Sequence, residues 1–548
     1  MKTTTNLQRR KLLKYTAIGI AGALTYPSWA QTGGFVRVNT PSTDFLPDVE
    51  LELTMNTAEV AILNGEKTRI WKITGKVITG PSGVLDNNDG TYLAPTLRFK
   101  KGQKVRLILN NNLPAQSILH WHGLHVPANM DGNPMYAINH GETYIYEFEI
   151  LNRAGTYFYH SHAHGVTARQ VYSGLAGLLI VSDDQEQALG LPSGDLDVPL
   201  VIQDRSFDGQ NQLVYSAHMM QRMQGFLGDR ILVNGRPDFV LPVATRAYRI
   251  RLVNGSNSRI YKLAWDDGTP ITVIGVDGGL LETPEQHPYV MLAPGERLEA
   301  WMDFSGRAVG AELTLRSLKF DAASHGGMGM MGGGGHRGMM GGGGHRGMMG
   351  GGMGGMMGGM MSVSTLPSGS DYPILKIRVA KKEQGDNTLP KTLTPIAALQ
   401  VKNAANAANP RTIALSMEHM SALLNGRSYK MDDVQPDEVI PVNSLQLIEF
   451  DNGFGGGMHG MMNMPHPMHL HGEQFQVVKR EVSSGFEDSY TTVASGFVTN
   501  GWKDTVLVMP GEKVTLLKPF NDFKGLFMYH CHNLEHEDMG MMRDFLIK

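Results

Sequence analysis

The chain has 548 residues, a net charge of −3 and a charged fraction of 18%. This length predicts several domains, each with its own core, and the charge offers no basic surface for nucleic acid. A single cysteine excludes an intramolecular disulfide framework and the thiolate-rich zinc and iron–sulfur sites.

The first thirty residues predict a targeting segment rather than part of the fold. A short apolar run at residues 17–24 follows five basic side chains, and Ser28-Trp29-Ala30 supplies small residues for cleavage. The run is shorter than the roughly 20 apolar residues that cross a bilayer. Because Arg9-Arg10 resembles a twin-arginine export signal, we expect a periplasmic protein with no membrane span.

Alternating apolar and polar residues predict strands along most of the remaining chain. Three alternating segments resemble one another and end on asparagine before a turn: residues 104–110, 248–254 and 444–452. Their spacings become comparable once a 37-residue insertion is subtracted from the second interval. The repetition predicts an all-β protein with three β-sandwich domains, at 31–183, 184–382 and 383–548.

The insertion, residues 325–361, contains only 20 glycines, 12 methionines, 3 histidines and 2 arginines. Glycine loses the most entropy on folding and has no side chain to bury, so the composition predicts a surface loop without a core. Exposed methionines do not serve core packing, and their soft thioether sulfur prefers Cu(I). We therefore predict that the loop handles metal, with an inert linker as the alternative.

Ten of the 20 histidines occur in four short clusters. These clusters are His120 and His122; His160 and His162; His466, His469 and His471; and His530, His532 and His536. Residues two apart on a strand face the same side, so each His-x-His would present two imidazoles to one point. Imidazole binds copper, zinc, iron and nickel, so the histidines alone do not select the metal.

The single cysteine favours copper. One thiolate, two imidazoles and a weak axial thioether form a blue-copper site. Cys531 precedes His536 by five residues and Met541 by ten, and His466 can supply the second imidazole. Neighbouring side chains on a strand point to opposite faces, so Cys531 would face one metal while the histidines beside it face another. Such a strand would collect single electrons and deliver them together to dioxygen.

The sequence resembles the multicopper oxidases, most closely the bacterial periplasmic cuprous oxidases of the CueO type. The resemblance covers essentially all of the chain after the targeting segment and is sharpest at residues 120–124, 466–472 and 530–542. It implies three cupredoxin-like Greek-key β-sandwich domains and four copper ions: one type 1, one type 2 and a type 3 pair. It also implies oxidation of Cu(I) coupled to reduction of dioxygen to water, as a means of copper tolerance.

The resemblance further implies a ligand set for each copper. The type 1 copper would bind His466, Cys531, His536 and Met541, with Met539 and Met542 as alternative axial ligands. The type 2 copper would bind His120 and His469. One type 3 copper would bind His122, His160 and His532, and the other His162, His471 and His530. Domain 2 would supply no ligand to this trinuclear site.

Two acidic residues are candidates for proton transfer, because reducing dioxygen to water consumes protons. Asp131 and Glu537 match the acidic positions that the family has near its trinuclear site. Each could instead be a solvated loop acid.

Methionines outside the insertion are candidates for binding substrate Cu(I). The resemblance implies Met417 and Met464, and we add Met420 and Met462. The two aspartates of the family at this site correspond here to Ala422 and Met462, so the acidic ligands are missing. The methionine-rich segment of the enteric relatives also lies in domain 3, whereas here it interrupts domain 2.

Two other functions stay open at this stage. A laccase would take electrons from phenols or diamines, and a non-enzymatic protein would only sequester copper. The complete ligand set argues against the second. We expect a monomer.

Overall fold

The structure is a computed structural model that describes residues 39–215, 219–322, 364–386, 388–418, 421–453 and 464–548. The targeting segment, the insertion at 325–361, Met420 and Met462 lie outside these residues. Within the described ranges, no helix is long and apolar enough to cross a membrane.

Nine strands form two sheets in the first part of the chain. They are β1 (Val49–Val60), β2 (Thr68–Thr79), β3 (Leu85–Asp86), β4 (Thr96–Lys100), β5 (Lys104–Asn111), β6 (Leu119–His120), β7 (Thr143–Glu149), β8 (Gly155–Ser161) and β9 (Ala176–Ser182). The sheets have the strand orders β2-β1-β5-β7 and β3-β4-β9-β8-β6. Alternate residues are buried along residues 49–55 of β1 and throughout β5, including Leu51 and Leu107, and their apolar side chains fill the core between the sheets.

The second part contains twelve strands. They are β10 (Asp197–Arg205), β11 (Arg230–Val233), β12 (Arg236–Pro237), β13 (Val240–Ala244), β14 (Ala247–Asn254), β15 (Tyr261–Trp265), β16 (Ile271–Val276), β17 (Gly279–His287), β18 (Val290–Leu292), β19 (Arg297–Asp303), β20 (Glu312–Ser317) and β21 (Tyr372–Lys381). Their sheets have the orders β12-β11-β10-β14-β19-β16-β17 and β13-β21-β20-β15-β18. A separate apolar core lies between them.

The third part contains ten strands. They are β22 (Arg411–Glu418), β23 (Ser421–Leu424), β24 (Val439–Ile440), β25 (Ser444–Asp451), β26 (His466–Leu470), β27 (Gln476–Val482), β28 (Thr505–Val508), β29 (Glu512–Phe520), β30 (Gly525–Cys531) and β31 (Met542–Ile547). Their sheets have the orders β23-β22-β25-β29-β27 and β24-β31-β30-β26-β28. The core of this part includes Cys531 and Met541.

Within the described ranges, five short α-helices lie in the connections. They are α1 (Thr167–Ser173), α2 (Asp184–Ala188), α3 (Met219–Gln224), α4 (Glu487–Thr491) and α5 (Leu534–Asp538). The chain is therefore predominantly β, and the predicted all-β fold class is confirmed.

The three similar sequence segments occupy the same place in their sheets. They form β5, β14 and β25, and each pairs in parallel with the first strand of its part of the chain. Each also pairs antiparallel with one further strand, namely β7, β19 or β29. The repeat therefore reflects a repeated topology. The domain boundaries at 183/184 and 382/383 stay predictions, with β9 ending at Ser182 and β22 beginning at Arg411.

Candidate metal centre

Antiparallel strand pairs bring the four histidine clusters together two by two. His120 of β6 is the register partner of His160 of β8 in the first sheet pair. His469 of β26 is the register partner of His530 of β30 in the third. His122, His162, His471 and His532 follow the ends of these four strands by one or two residues.

The two halves meet to form one histidine cluster, defined as His120, His122, His160, His162, His469, His471, His530 and His532. Ligand atoms lie within 4.8 Å of one another in three groups: His120, His122 and His469; His122, His160 and His532; and His162, His471 and His530. A fourth group, the cysteine site, consists of His466, Cys531 and His536. All of these side chains are buried. The structure thus brings together the residues of each ligand set that the resemblance implied.

The nitrogen atoms of His120 and His469 face each other in a way that only a cation can satisfy. His120 Nδ1 donates to the Asp131 carbonyl oxygen at 2.6 Å, and His469 Nδ1 donates to the Asp504 carbonyl oxygen at 2.8 Å. A carbonyl oxygen only accepts hydrogen bonds, so each Nδ1 carries the proton and each Nε2 carries a lone pair. The two Nε2 atoms lie 3.3 Å apart. Two lone pairs cannot hydrogen-bond to each other, but both can bind one metal ion.

Other rings of the cluster also present open nitrogen atoms. Among the described residues, no hydrogen-bond partner is found for His122 Nδ1, His160 Nε2, His162 Nδ1 or either ring nitrogen of His532. Burial, reinforced by neighbouring imidazoles, holds the pKa of six rings well below the usual range: His122, His160, His162, His469, His471 and His532. These rings are therefore neutral at physiological pH. Buried neutral imidazoles with open lone pairs are costly unless a metal binds them, so the cluster fits metal ions.

The cysteine site combines one sulfur and two nitrogen atoms. Cys531 Sγ lies 3.6 Å from His466 Nδ1 and 3.7 Å from His536 Nδ1, and the two Nδ1 atoms lie 3.3 Å apart. Burial raises the pKa of the Cys531 thiol and lowers the pKa of His536 to about 4. A bound metal ion deprotonates a coordinating thiol. One soft thiolate and two imidazoles in a buried site are the donors that copper prefers.

Met541 is better placed than Met542 to complete the cysteine site. Met541 is fully buried in the same apolar core as Cys531, and the Cys531 amide donates to its carbonyl oxygen at 2.9 Å. Met542 packs instead with Tyr429 and Met528 in a separate cluster. Met539 is half-buried at the edge of the core that contains Cys531.

Both predicted acids contact the histidine cluster and neither is solvated. Asp131 Oδ2 accepts from His471 Nδ1 at 2.7 Å, and Oδ1 of the same carboxyl lies 3.3 Å from His120 Nδ1. Glu537 Oε2 lies 3.2 Å from His530 Nδ1. Asp131 is 2% exposed and Glu537 1% exposed. Burial raises the pKa of Asp131 although His120 lies beside it.

A buried ion pair that supports the cluster was not predicted from the sequence. Asp504 Oδ1 accepts from His122 Nε2 at 3.0 Å, which leaves His122 Nδ1 open towards the metal. Arg297 from β19 donates to both carboxylate oxygens of Asp504, at 2.6 and 2.5 Å. Arg297 thus orients His122 through Asp504. The only sequence signal was an acid directly before a buried strand.

Residues from the second part of the chain also cover the cysteine site. His536 Nε2 donates to the carbonyl oxygen of Met223 in α3 at 3.0 Å. Glu535, next to His536, accepts hydrogen bonds from the side chains of Tyr215, Asn257 and Ser258 and from the amide of Phe226. No pattern in the sequence indicated this cover.

Two of the candidate ligands for substrate Cu(I), Met417 and Met464, lie within the described residues. Met417 contacts the core that contains the cysteine site, and Met464 is close to that site along the chain. Met417 is half-buried and packs against the apolar core that contains Cys531. Met464 is half-buried two residues before His466, and its carbonyl oxygen accepts from Asn452 Nδ2 at 2.8 Å.

Known proteins are similar to this chain in sequence and in architecture. Two family models described as multicopper oxidase match residues 57–186 and 395–548. The multicopper oxidase mco of Staphylococcus aureus is 30% identical over 454 residues, which cover 83% of this chain and 82% of that protein.

Two solved structures resemble the whole chain. The McoA multicopper oxidase of Aquifex aeolicus superposes with a TM-score of 0.71 at 30% identity, covering 92% of this chain and 97% of its own. The laccase-like multi-copper oxidase CueO of Ochrobactrum sp. gives a TM-score of 0.69 at 26% identity, covering 91% and 97%. The chain therefore belongs to the multicopper oxidase family, a family of copper-containing oxidoreductases.

Proposed function

We propose that the protein oxidises Cu(I) and reduces dioxygen to water, using one type 1 copper, one type 2 copper and a type 3 pair. The opposed lone pairs of His120 and His469 are the observation that carries this proposal, because a single metal ion bound between them would satisfy both. When bound, copper would accept single electrons at the cysteine site and transfer them to dioxygen at the histidine cluster.

The protein itself provides a short covalent path between the two sites. Cys531 Sγ belongs to the cysteine site, while the rings of His530 and His532 belong to the histidine cluster. The three residues are consecutive, so electrons cross only the bonds of one tripeptide. Because Cys531 is fully buried, an external donor must reach it through the residues that surround it.

Asp131 and Glu537 are the residues that we assign to proton transfer. Each carboxyl touches a histidine of the cluster from the side opposite the open nitrogen atoms. Burial raises the pKa of Asp131, which favours its protonated form and suits a residue that transfers protons inside the site. In the same position, Asp131 also keeps the proton of His471 on Nδ1, whereas the Cys531 carbonyl oxygen accepts from His530 Nδ1 at 3.1 Å.

Cu(I) is the substrate that the methionines favour. Thioethers at Met417 and Met464 are soft donors that select Cu(I), and the insertion adds further methionines. A laccase function is the second candidate, since the related Ochrobactrum protein is described as having oxidase activity towards lignin model compounds. We further propose that the protein is a periplasmic monomer exported through residues 1–30.

Oxygen consumption by the copper-loaded protein tests the proposal. We expect faster oxygen uptake with a Cu(I) complex than with a phenol such as 2,6-dimethoxyphenol. Met417→Ala combined with Met464→Ala should slow uptake with Cu(I) and leave uptake with the phenol unchanged. A phenol rate that exceeds the Cu(I) rate and does not respond to added copper would favour the laccase. If the protein consumed no oxygen with either donor, both oxidase functions would be refuted, and copper sequestration would be the remaining candidate function.

A further inference from the structure

Glu535 is a buried acid beside the cysteine site that takes no part in the proposed proton transfer. It is 2% exposed and lies on α5, one residue before His536. Asp131 and Glu537 face the histidine cluster, whereas Glu535 faces residues of the second part of the chain. Burying an ionised carboxylate is costly unless hydrogen bonds compensate for the lost water, so the partners of Glu535 indicate what it does.

Four hydrogen-bond donors from the second part of the chain surround the Glu535 carboxylate. Its Oε1 accepts from Asn257 Nδ2 at 2.8 Å and from the Tyr215 hydroxyl at 2.9 Å. Its Oε2 accepts from the Phe226 amide at 3.0 Å and from the Ser258 hydroxyl. Burial raises the pKa of Glu535, but all four of these hydrogen bonds oppose the rise, because donors on both oxygens favour the ionised form of a carboxyl group.

A negative charge at Glu535 would act on copper bound at the cysteine site. Burial raises the pKa of the Cys531 thiol, and the charges of Glu537 and Glu535 add to this rise. Their effect reaches the sulfur because charges interact strongly in buried surroundings, where little water screens them. Copper carries one more positive charge as Cu(II) than as Cu(I). A nearby negative charge therefore stabilises Cu(II) more and lowers the reduction potential of the copper.

The residues that bind Glu535 also hold α5, and with it His536, in place. His536 Nε2 donates to the Met223 carbonyl oxygen at 3.0 Å. The Leu534 amide donates to the Asn257 carbonyl oxygen at 3.1 Å, so Asn257 contacts α5 through its backbone as well as through its side chain. Hydrogen bonds to the second part of the chain thus lie on both sides of His536, and they fix the position of the Glu535 carboxylate relative to this ligand.

We propose that Glu535 sets the reduction potential of the copper at the cysteine site, as a negative charge that the second part of the chain holds beside His536. The inference rests on the proposed function, in which that copper accepts electrons from the donor. Because Glu535 acts through His536 and through its charge, it is a positioning residue. A lower potential makes the copper a weaker oxidant, so this charge would limit which phenols can donate electrons.

Asp538, at the other end of α5, provides a matched control. Its carboxyl oxygens accept from the Thr167 and Ala168 amides of α1 at 2.9 and 3.0 Å. It therefore ties α5 to the first part of the chain rather than to the second. Burial, reinforced by the charge of Glu537, holds the pKa of Asp538 well above its usual range, which favours an uncharged group. Asp538→Asn should thus loosen α5 without removing a charge.

Redox titration of the blue absorption measures the potential of the cysteine-site copper. Glu535→Gln keeps the size of the side chain and removes its charge, so the potential should rise while the blue band remains. Asp538→Asn should keep the wild-type potential, even if both variants melt at the same lower temperature. An unchanged or lower potential in a folded, blue Glu535→Gln protein would overturn the proposal, as would an equal rise in both variants.

Tyr215→Phe is the second variant if Glu535→Gln does not fold or bind copper. Phenylalanine can keep the ring contacts of Tyr215 with Tyr172 and Phe226, but it removes one donor from the carboxylate. The charge of Glu535 is then less neutralised, so the potential should fall. A rise, or no change, in a folded and blue Tyr215→Phe protein would count against the charge.

Phenols of graded reduction potential give the functional readout. For the phenols that are hardest to oxidise, Glu535→Gln should raise kcat/KM several-fold over the wild type, whereas Asp538→Asn should not. If the wild-type protein showed no blue absorption, or consumed no oxygen with any donor, the proposed function itself would fail. A blue, active wild type whose potential does not depend on Glu535 would refute only the role of this residue.

Discussion

Cys531 is the residue on which the electron path depends. Replacing it with serine keeps the size of the side chain but removes the soft thiolate that copper needs for its blue absorption. Cys531→Ser should therefore lose the blue band and nearly all turnover while its circular dichroism stays that of the wild type. Blue absorption in this variant would contradict the assignment of the cysteine site.

Asp504 should matter to both stability and metal binding, because it pairs with a fully buried arginine and orients His122. Removing one partner of a buried ion pair costs about 3–5 kcal/mol, and losing a carboxylate behind a ligand histidine weakens metal affinity by about 10- to 100-fold. Asp504→Asn should thus lower the melting temperature and the affinity of the histidine cluster for copper, measured by competition with a chelator.

The matched control for Asp504 is Asp267, whose partner Arg307 is partly exposed. The side chain of Asp267 is 36% exposed and that of Arg307 is 25% exposed, and their charged atoms lie 2.7 Å apart. Surface ion pairs contribute less than about 1 kcal/mol. Asp267→Asn should leave melting and copper affinity almost unchanged, and equal effects of the two substitutions would refute a positioning role for Asp504.

Asp544 should make stability depend on pH. Burial raises its pKa to about 7 in the folded protein, whereas an aspartate in an unfolded chain has a pKa near 3.9. The unfolded state therefore loses its proton first, and the stability contributed by the protonated carboxyl is lost as pH rises from about 4 to about 7.

Asp544→Asn isolates this dependence, because the amide cannot ionise. The variant should match the wild type near pH 4 and exceed its free energy of unfolding by a few kcal/mol above pH 7, by denaturant titration at both pH values. A difference that does not change with pH would show that the pKa of Asp544 is the same in the folded and unfolded states.

At the scale of chain segments, two changes should affect Cu(I) oxidation differently: deletion of the insertion at 325–361, and loss of the thioethers of Met417 and Met464. Many weak thioether sites on one tethered segment raise the local concentration of Cu(I). Deleting the insertion should therefore slow Cu(I) oxidation mainly at low copper, whereas Met417→Ala with Met464→Ala should slow it at high copper as well. Oxygen uptake against free Cu(I) measures both, and unchanged kinetics after the deletion would make the insertion an inert linker.

At the scale of strands, features that depend on local residue spacing could be predicted from the sequence, whereas contacts between residues far apart in the chain could not. Period-two alternation identified the three equivalent strands, and His-x-His spacing identified the histidines that come together at the ends of β6, β8, β26 and β30. The contacts of Arg297 with Asp504 and of Met223 with His536 join residues 207 and 313 positions apart. No local pattern marks such pairs, because they arise only when the domains pack.

At the scale of the whole molecule, metal bound in the histidine cluster should hold the first and third parts of the chain together, because each part contributes four of the eight histidines. A ligand that binds only the folded state stabilises it, so copper should stabilise this contact as well as each domain. Removing copper with a chelator should lower the melting temperature in scanning calorimetry.

Cys531→Ser separates the two sites in this experiment. The variant lacks the thiolate of the cysteine site but keeps all eight histidines of the cluster, so chelation should still lower its melting temperature. A wild-type melting temperature that does not respond to chelation would argue against copper joining the domains.

The separation of the ligands along the chain has a consequence for biosynthesis. His120 and His469, whose nitrogen atoms face each other, are 349 residues apart, so the ribosome makes the first half of the cluster long before the second. Until the third part is made, the cluster has only the imidazoles of His120, His122, His160 and His162. This incomplete set of ligands should bind a divalent metal ion only weakly. Correct metal loading is therefore a late event, which follows the folding of the third domain onto the first.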